Sequence, residues 1–189
     1  MGLRLIFLGP QGSGKGTQAS RLARLMGVPH ISTGEMLRQA VADRTELGKR
    51  AAAMMEAGDL VPDDLVVAMV GQRLSQDDAR CGFLLDGFPR TVPQAKALDG
   101  VMDAPLDAIV QLDVPHEELM KRMLLRAEAE GRADDTEEGI SRRLDIYWQE
   151  TAPLSDYYRD TGVVVHAVDG LGAIDEVTAH VALALAVER

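Results

Sequence analysis

The sequence predicts an α/β fold of three layers, in which helices cover both faces of a five-stranded parallel sheet. Short apolar runs occur at Leu5–Leu8, Phe83–Leu85, Ile109–Leu112 and Val163–Val165, with a weaker fifth run at Val28–Ile31. Longer segments with helical spacing separate these runs, and this alternation is typical of parallel sheets. The runs are almost entirely apolar, as expected for strands buried on both faces. With 189 residues, 46% of them hydrophobic, the chain is long enough for one domain with a sizeable core.

Helical spacing predicts eight helices between and after the strands. They cover Lys15–Met26, Thr33–Ala42, Leu47–Glu56, Asp63–Leu74, Val92–Leu98, Glu117–Glu130, Glu137–Tyr158 and Ile174–Val187. Thr33 and Asp63 are residue types that favour helix N-caps. Ligands of parallel sheets bind at the carboxyl ends of the strands, so the residues that follow the strands are the candidate site.

Composition excludes several classes of function. The net charge of −10 argues against a general nucleic-acid binder, which would carry a basic face. The single cysteine, Cys81, excludes an internal disulfide and a cysteine-cage metal site, and we expect its side chain to be buried. No run reaches the roughly 18 apolar residues of a membrane span, and no leader precedes the first strand. We therefore expect a cytoplasmic protein without membrane contact.

The first motif, GPQGSGKGT at residues 9–17, lies between a predicted strand and a predicted helix. Its glycines let backbone N–H groups turn toward an anion, and the helix N-terminus adds partial positive charge. Lys15 supplies a full charge for the β- and γ-phosphates, so the motif predicts a nucleoside triphosphate site. Because Gly16 follows the lysine, the hydroxyl that would reach Mg²⁺ stands one residue later than usual, as Thr17. A plain turn between strand and helix is the alternative.

The second motif, FLLDGFPR at residues 83–90, ends an apolar strand on a carboxylate. Beside a phosphate-binding loop, Asp86 could hold Mg²⁺ directly or through water. Arg90 follows at the same edge of the sheet, and its planar guanidinium suits bidentate phosphate binding. A helix cap or a surface turn is the alternative for Asp86.

Two further motifs give weaker signals. ISTGEMLR at residues 31–38 opens a helix carrying Arg38, which taken alone is more often a solvated charge. AGDLVPDD at residues 57–64 predicts a sharp corner, since a glycine ends one helix and a proline precedes the next. Such a corner could line a pocket with backbone groups.

A series of arginines follows in the second half of the chain. Arg122 and Arg126 share one helix face. Arg132 lies in a polar excursion between two helices, and Arg142 and Arg143 stand early in the second of them. A solvated surface is the alternative for any single arginine. As a set they suit phosphoryl transfer, which requires positioning and positive charge rather than a nucleophile from the protein.

In this order and at these separations, the motifs resemble those of the adenylate kinases, a family of nucleoside monophosphate kinases. Residues 9–17, 32–34, 86–90 and 131–135 carry the resemblance, which spans nearly the whole chain. It implies a P-loop core with two small mobile insertions. The implied core is 1–31, 61–124 and 136–189, with a monophosphate-binding insertion at 32–60 and a short lid at 125–135.

Carried over by position, the resemblance implies a role for residues of every motif. ATP would be bound by Gly12, Ser13, Gly14, Lys15, Gly16, Thr17, Arg122 and Arg126. AMP would be bound by Thr33, Met36, Leu37, Arg38, Val61, Val66, Gly87, Arg90, Gln94, Arg132 and Arg143. The catalytic charges would be those of Lys15, Arg90, Arg122, Arg132 and Arg143. Mg²⁺, entering as MgATP, would be ordered by Thr17 and Asp86 through water.

The implied activity is reversible phosphoryl transfer, ATP + AMP = 2 ADP, by a monomer whose partners are nucleotides. The short excursion resembles members with a short lid and no structural zinc. Gln94 offers an amide and Thr33 a hydroxyl to an adenine edge, whereas relatives that prefer UMP or CMP resemble a version with alanine at the Thr33 position. A UMP/CMP kinase and a non-catalytic sensor that binds ATP and AMP are the alternatives.

Overall fold

A computed structural model of the chain describes residues 3–130 and 136–186. It contains one sheet of five parallel strands in the order β2-β3-β1-β4-β5. The strands are β1 (Arg4–Leu8), β2 (His30–Ser32), β3 (Phe83–Asp86), β4 (Ala108–Asp113) and β5 (Val165–Asp169). The prediction of a five-stranded parallel sheet is confirmed, and β1 lies at its centre.

Nine α-helices are present within the described residues. They are α1 (Lys15–Met26), α2 (Thr33–Ala42), α3 (Glu46–Ala57), α4 (Asp63–Leu74), α5 (Val92–Val101), α6 (His116–Glu130), α7 (Glu137–Ile146), α8 (Leu154–Asp160) and α9 (Ile174–Ala186). A 3₁₀ turn at Asp77–Ala79 and a π-helical turn at Tyr147–Thr151 complete the helical structure. The predicted bounds of α1, α2 and α4 are the observed ones.

Residues 5–8 of the central strand are all buried, alternately in two cores on opposite faces of the sheet. Leu5 and Phe7 of β1 pack on the side covered by α1 and α9. Ile6 and Leu8 pack on the opposite side, among residues of α2, α3, α4, α5 and α8. Because successive side chains of a strand point to opposite faces, a fully apolar strand requires helices on both sides.

A third, smaller core joins α6 to α7 through Leu119, Met123, Ile140 and Leu144, all fully buried. These apolar residues recur every three or four positions along each helix, which places them on one face. Their packing brings the two arginine-bearing helices side by side.

Three segments differ from the sequence prediction. β2 lies at His30–Ser32 and β5 at Val165–Asp169, two residues later than their apolar runs begin. β5 pairs with β4 along its whole length, and as an edge strand it tolerates polar residues such as His166. The single helix predicted at 137–158 is interrupted by the π-helical turn and Pro153, since proline has no N–H to continue the helical hydrogen bonds.

The predicted caps and the predicted burial of Cys81 were wrong. Ser32, rather than Thr33, caps α2, and its Oγ accepts a hydrogen bond from the Glu35 N–H at 3.4 Å. Pro62 occupies the N-cap position of α4, and Asp63 is the first helical residue. Cys81 is exposed, in the turn between the buried Ala79 and the start of β3. In the described parts of the chain no helix is both long and apolar enough to span a bilayer.

We expect Gly48→Ala to lower the free energy of unfolding by about 2 kcal/mol or more, because a small-to-large change at a packed site forces the backbone apart. A Cβ on Gly48 of α3 would lie 1.9 Å from the Ala40 carbonyl oxygen of α2. Gly100→Ala in α5 is the matched control, because a Cβ there meets nothing within 4 Å. That control should raise stability by about 0.5–1 kcal/mol, since alanine is the better helix former. Urea denaturation measures both, and equal stability of the two variants would contradict the tight α2–α3 packing.

Candidate active site

The carboxyl ends of the central strands open into a cleft of about 500 Å³. Its walls come from the loop after β1, the start of α2, the corner between α3 and α4, the turn after β3, and helices α6 and α7. These segments are far apart in the sequence, but parallel strands bring their carboxyl ends to one edge of the sheet.

Most of the sequence-predicted site residues line this cleft. They are Gly12, Gly14, Lys15, Gly16, Thr17, Thr33, Leu37, Arg38, Val61, Val66, Asp86, Gly87, Arg90, Gln94, Arg122, Arg126 and Arg143. Two others are placed differently: Ser13 is buried within its loop, and Met36 packs against the hydrophobic core. Arg132 and the rest of residues 131–135 in the predicted lid lie outside the described residues.

The loop after β1 has the backbone shape of an anion-binding turn. Gly12 and Gly14 have φ values of +83° and +89°, which L side chains rarely adopt. Gly14 is also the N-cap of α1, so the first N–H groups of that helix face the cleft region. Lys15 begins the helix, and its Nζ donates a hydrogen bond to the Pro10 carbonyl at 3.3 Å.

The surroundings of Lys15 disfavour its positive charge. Burial lowers the pKa of Lys15 to about 8, with Asp86 opposing the shift and the charges of Arg90 and Arg126 adding to it. The ammonium group is therefore poorly compensated in the nucleotide-free protein. An anionic ligand would relieve this by supplying negative charge.

Asp86 is buried at the end of β3, and its Oδ1 lacks a hydrogen-bond partner. Burial would raise the pKa of Asp86, but His30, Lys15 and Arg90 outweigh it and hold the pKa below its usual range. The His30 Nε2 lies 3.6 Å from the carboxylate Oδ2, a contact that nothing in the sequence signals. An ionised carboxylate with a spare oxygen fits a hydrated Mg²⁺. Among the described residues no cluster of three or more His, Cys, Asp or Glu side chains is placed to hold a metal ion.

The turn after β3, in the motif at residues 83–90, is connected to α2 through the Gly87 carbonyl group. The Gly87 oxygen accepts hydrogen bonds from the Thr33 Oγ1 at 2.8 Å and from the Arg90 Nε at 2.9 Å. Gly87 has a φ of +80°, and a Cβ there would lie 2.9 Å from the Thr33 Oγ1. Thr151 donates to the Arg90 carbonyl at 2.8 Å and fixes the turn from the other side.

A second network holds Gln94 at the start of α5. Its Oε1 accepts from the Arg90 backbone N–H at 2.8 Å, and its Nε2 donates to the Asp63 Oδ1 at 2.6 Å. Thr91 donates to the other carboxylate oxygen of Asp63 at 3.1 Å. Sequence reasoning treated Asp63 only as a helix cap. Its partners stand 28 and 31 positions away, beyond the reach of any local pattern.

The arginines approach the cleft from several elements. Arg143 is 9% exposed, and its Nε donates to the Gly139 carbonyl at 3.0 Å. Arg122 donates to Glu118 at 2.8 Å and to the Gly170 carbonyl at 3.1 Å. Burial lowers the pKa of Arg90; Asp86 opposes this, and the charges of Arg143 and Arg38 add to it. The charges of Arg38 and Arg143 thus both act on the Arg90 guanidinium, and a phosphate there would offset this repulsion.

Arg142 has a different position from its neighbour. Its Nε donates to the Asp59 Oδ1 at 2.5 Å, and this ion pair is partly exposed. The pair joins α7 to the corner between α3 and α4. Arg142 therefore connects two elements of the cleft wall.

A phosphate-binding loop on a parallel sheet, facing a group of guanidiniums, defines a P-loop phosphotransferase of the nucleoside monophosphate kinase class. Residues 7–163 match the sequence profile of the family described as adenylate kinase. A protein named adenylate kinase from Stenotrophomonas maltophilia is 50% identical over 186 residues, covering 97% of this chain and 99% of that protein. A protein of the same name from Kocuria rhizophila is 49% identical and covers 96% of this chain and 98% of its own length. Another from Leptospira biflexa is 51% identical and covers 93% of this chain and 95% of its own length. The chain belongs to the adenylate kinase family.

We expect Gly87→Ala to lower kcat/KM for phosphoryl transfer by about tenfold or more, because an error in position near 1 Å at a reacting group is costly. The new methyl group would displace Thr33 and press on the Arg90 Nη2, which lies 3.4 Å from the Cβ position. Gly162→Ala is the matched control, since its φ of +83° carries the same backbone strain with nothing within 4 Å. Steady-state kinetics and a melting temperature on each variant separate the two effects. Equal activity of the two variants would contradict the role of this turn.

Proposed function

We propose that this chain catalyses the reversible transfer of the γ-phosphoryl group of MgATP to AMP, giving two ADP. The observation that carries the proposal is the meeting, in one cleft, of a lysine-bearing glycine loop with a separate group of guanidiniums. Two anionic substrates need two cationic ends of one site, with the transferring group between them.

The ATP end of the proposed site is the loop at residues 11–17. Backbone N–H groups of Gly12, Gly14 and Gly16 would hold the phosphates, and Lys15 would contact the β- and γ-oxygens. Arg122 and Arg126 line the same cleft and would hold the triphosphate from α6. Ser13 and Thr17 would complete the loop, Ser13 from within and Thr17 through the water around Mg²⁺.

The AMP end of the proposed site lies between α2, α4 and the turn after β3. Arg38 and Arg90 would bind the monophosphate, and Leu37, Val61 and Val66 would contact the base. Met36, which is partly buried and packs against the core, would line the same site. The Thr33 hydroxyl already donates its proton to the Gly87 carbonyl, so it offers lone pairs to the 6-amino group of adenine.

In the proposed reaction an oxygen of the AMP phosphate attacks the γ-phosphorus of ATP in line with the leaving oxygen. The new P–O bond forms as the bond from the γ-phosphorus to the β,γ-bridging oxygen breaks, and the electron pair stays on the departing ADP. The charges of Lys15, Arg90, Arg122 and Arg143 stabilise the negative charge on the transferring group, with Arg132 as a further proposed member. Water is excluded by closure, which limits hydrolysis of ATP.

Mg²⁺ would neutralise charge on the triphosphate and would be ordered by Asp86 and Thr17 through water. The unpartnered Asp86 Oδ1 supports this assignment. The protein residues then hold the nucleotide and position the hydrated ion.

Two small mobile parts belong to the same proposal, a monophosphate-binding insertion at 32–60 and a short lid at 125–135. The remaining residues would form the core of a cytoplasmic monomer. In this arrangement binding of both nucleotides draws the insertion and the lid onto the cleft.

A coupled assay of ADP formation from MgATP with AMP, CMP, UMP or GMP tests the proposal directly. We expect AMP to be the preferred acceptor. Preference for UMP or CMP would assign the chain to the alternative kinase, and nucleotide binding without ADP formation would make it a sensor.

Lys15→Ala should lower kcat by about 10³-fold, because preorganised charge of this kind contributes several kcal/mol. Near-normal turnover of that variant would contradict the assignment of the loop.

ATP binding should take up protons above neutral pH. In the free protein the pKa of Lys15 is about 8, so the group loses its proton as the pH rises through that value, and phosphate oxygens shift the pKa back up. At pH 8 we expect each ATP that binds to take up about 0.5 proton. Above pH 8 the affinity for ATP should fall by up to about tenfold for each further pH unit. Titration calorimetry in two buffers of different ionisation enthalpy measures the uptake. Lys15→Arg keeps its charge and should show none; equal uptake in both proteins would assign the proton to another group.

A further inference from the structure

The side-chain amide of Gln94 is held in one of its two possible orientations. On one side it meets the Arg90 backbone N–H, which can only donate, at 2.8 Å. On the other side it meets the Asp63 carboxylate, which can only accept, at 2.6 Å. The carbonyl oxygen must therefore face Arg90 and the NH₂ group must face Asp63.

Asp63 is itself fixed in position. Its second carboxylate oxygen accepts a hydrogen bond from the Thr91 hydroxyl at 3.1 Å, and Thr91 accepts one from the Gln94 backbone N–H at 3.2 Å. Gln94 is 2% exposed and lines the cleft. Each of the two polar atoms of its amide can form one more hydrogen bond, to a ligand. Nε2 has a second N–H to donate, and Oε1 has a second lone pair to accept.

We propose that Asp63 is a specificity-determining residue, which keeps the Gln94 amide oriented for a 6-amino purine and against a 6-oxo purine. The inference rests on the proposed AMP site. Adenine presents an N6–H donor and an N1 acceptor, which match the remaining acceptor and donor of the fixed amide. Hypoxanthine reverses the pattern, with an O6 acceptor and an N1–H donor.

An unrestrained glutamine would serve both bases, because rotation by 180° about its last side-chain bond exchanges donor and acceptor. In this site that rotation would set the amide oxygen against the Asp63 carboxylate and the NH₂ group against the Arg90 N–H. Both contacts would then be repulsive, and both partly buried partners would lose their hydrogen bonds to Gln94. Rejection of the 6-oxo base thus depends on a residue that need not touch the nucleotide.

The test uses IMP, which differs from AMP only in the 6-oxo group and the proton on N1. In Asp63→Asn the side chain keeps its shape but presents either a donor or an acceptor, so only the Arg90 N–H still opposes rotation of the Gln94 amide. We expect the ratio of kcat/KM for IMP to that for AMP to rise about tenfold or more, since unpaired buried groups are what such a site uses for discrimination. The KM for ATP should stay within about twofold of the wild-type value, because the change lies at the monophosphate end.

Asp64→Asn is the matched control. Asp64 is the next residue in the first turn of α4 and is exposed, so its replacement has the same effect on the charge at the helix N-terminus. The ratio should not change in this variant. Asp63→Glu retains a carboxylate and should keep selectivity within about threefold of the wild type, since it still only accepts.

Should Asp63→Asn fail to fold, as judged by its melting curve, Asp63→Ser replaces it. Serine suits the start of a helix, and its hydroxyl either donates or accepts. An unchanged IMP-to-AMP ratio in folded Asp63→Asn or Asp63→Ser, with a wild type that is active on AMP, overturns this inference and leaves the proposed function intact. A rise of the same size in Asp64→Asn also overturns it. A wild-type protein that is inactive on AMP overturns both this inference and the proposed function.

Discussion

Confinement of several positive charges in one partly buried cleft is the constraint on which the rest of the site depends. Lys15, Arg90, Arg122 and Arg143 each donate a hydrogen bond to a backbone carbonyl. A carbonyl holds a cation in place without neutralising it, so the positive potential remains for an anionic ligand. Two carboxylates offset part of this potential, Asp86 at the loop and Glu118 beside Arg122. A chain with a net charge of −10 therefore has a strongly cationic cleft, because local geometry and not composition sets the field there.

The parts of the fold and the site that are encoded locally could be predicted from the sequence. The glycine loop, Asp86 and Arg90 each follow directly on an apolar run, and parallel strands bring such positions to one edge of the sheet. The bounds of α1 followed from its spacing and the glycines at its two ends. The arginines of α6 and α7 were harder to place, and the residue pattern alone left a solvated surface open for each one.

Features that depend on contacts between distant segments could not be predicted. Asp63 is a plausible cap in any local pattern, and only the packing of α4 on α5 shows that it binds Thr91 and Gln94. The position of His30 beside Asp86 depends on the pairing of β2 with β3. The apolar run at 163–165 predicted that β5 begins two residues before its observed start. Pairing with β4, and not side-chain polarity, sets the extent of this edge strand.

The contact between Asp59 and Arg142 links the corner between α3 and α4 to α7 across the cleft wall. Exposed ion pairs contribute about 0–1 kcal/mol, which is close to thermal energy at room temperature. The pair can therefore orient the corner between α3 and α4 toward α7 without fastening it there. Dissolved salt weakens such a contact within a Debye length of roughly 10 Å at 0.1 M. The salt concentration thus sets how strongly this one link holds the corner to α7.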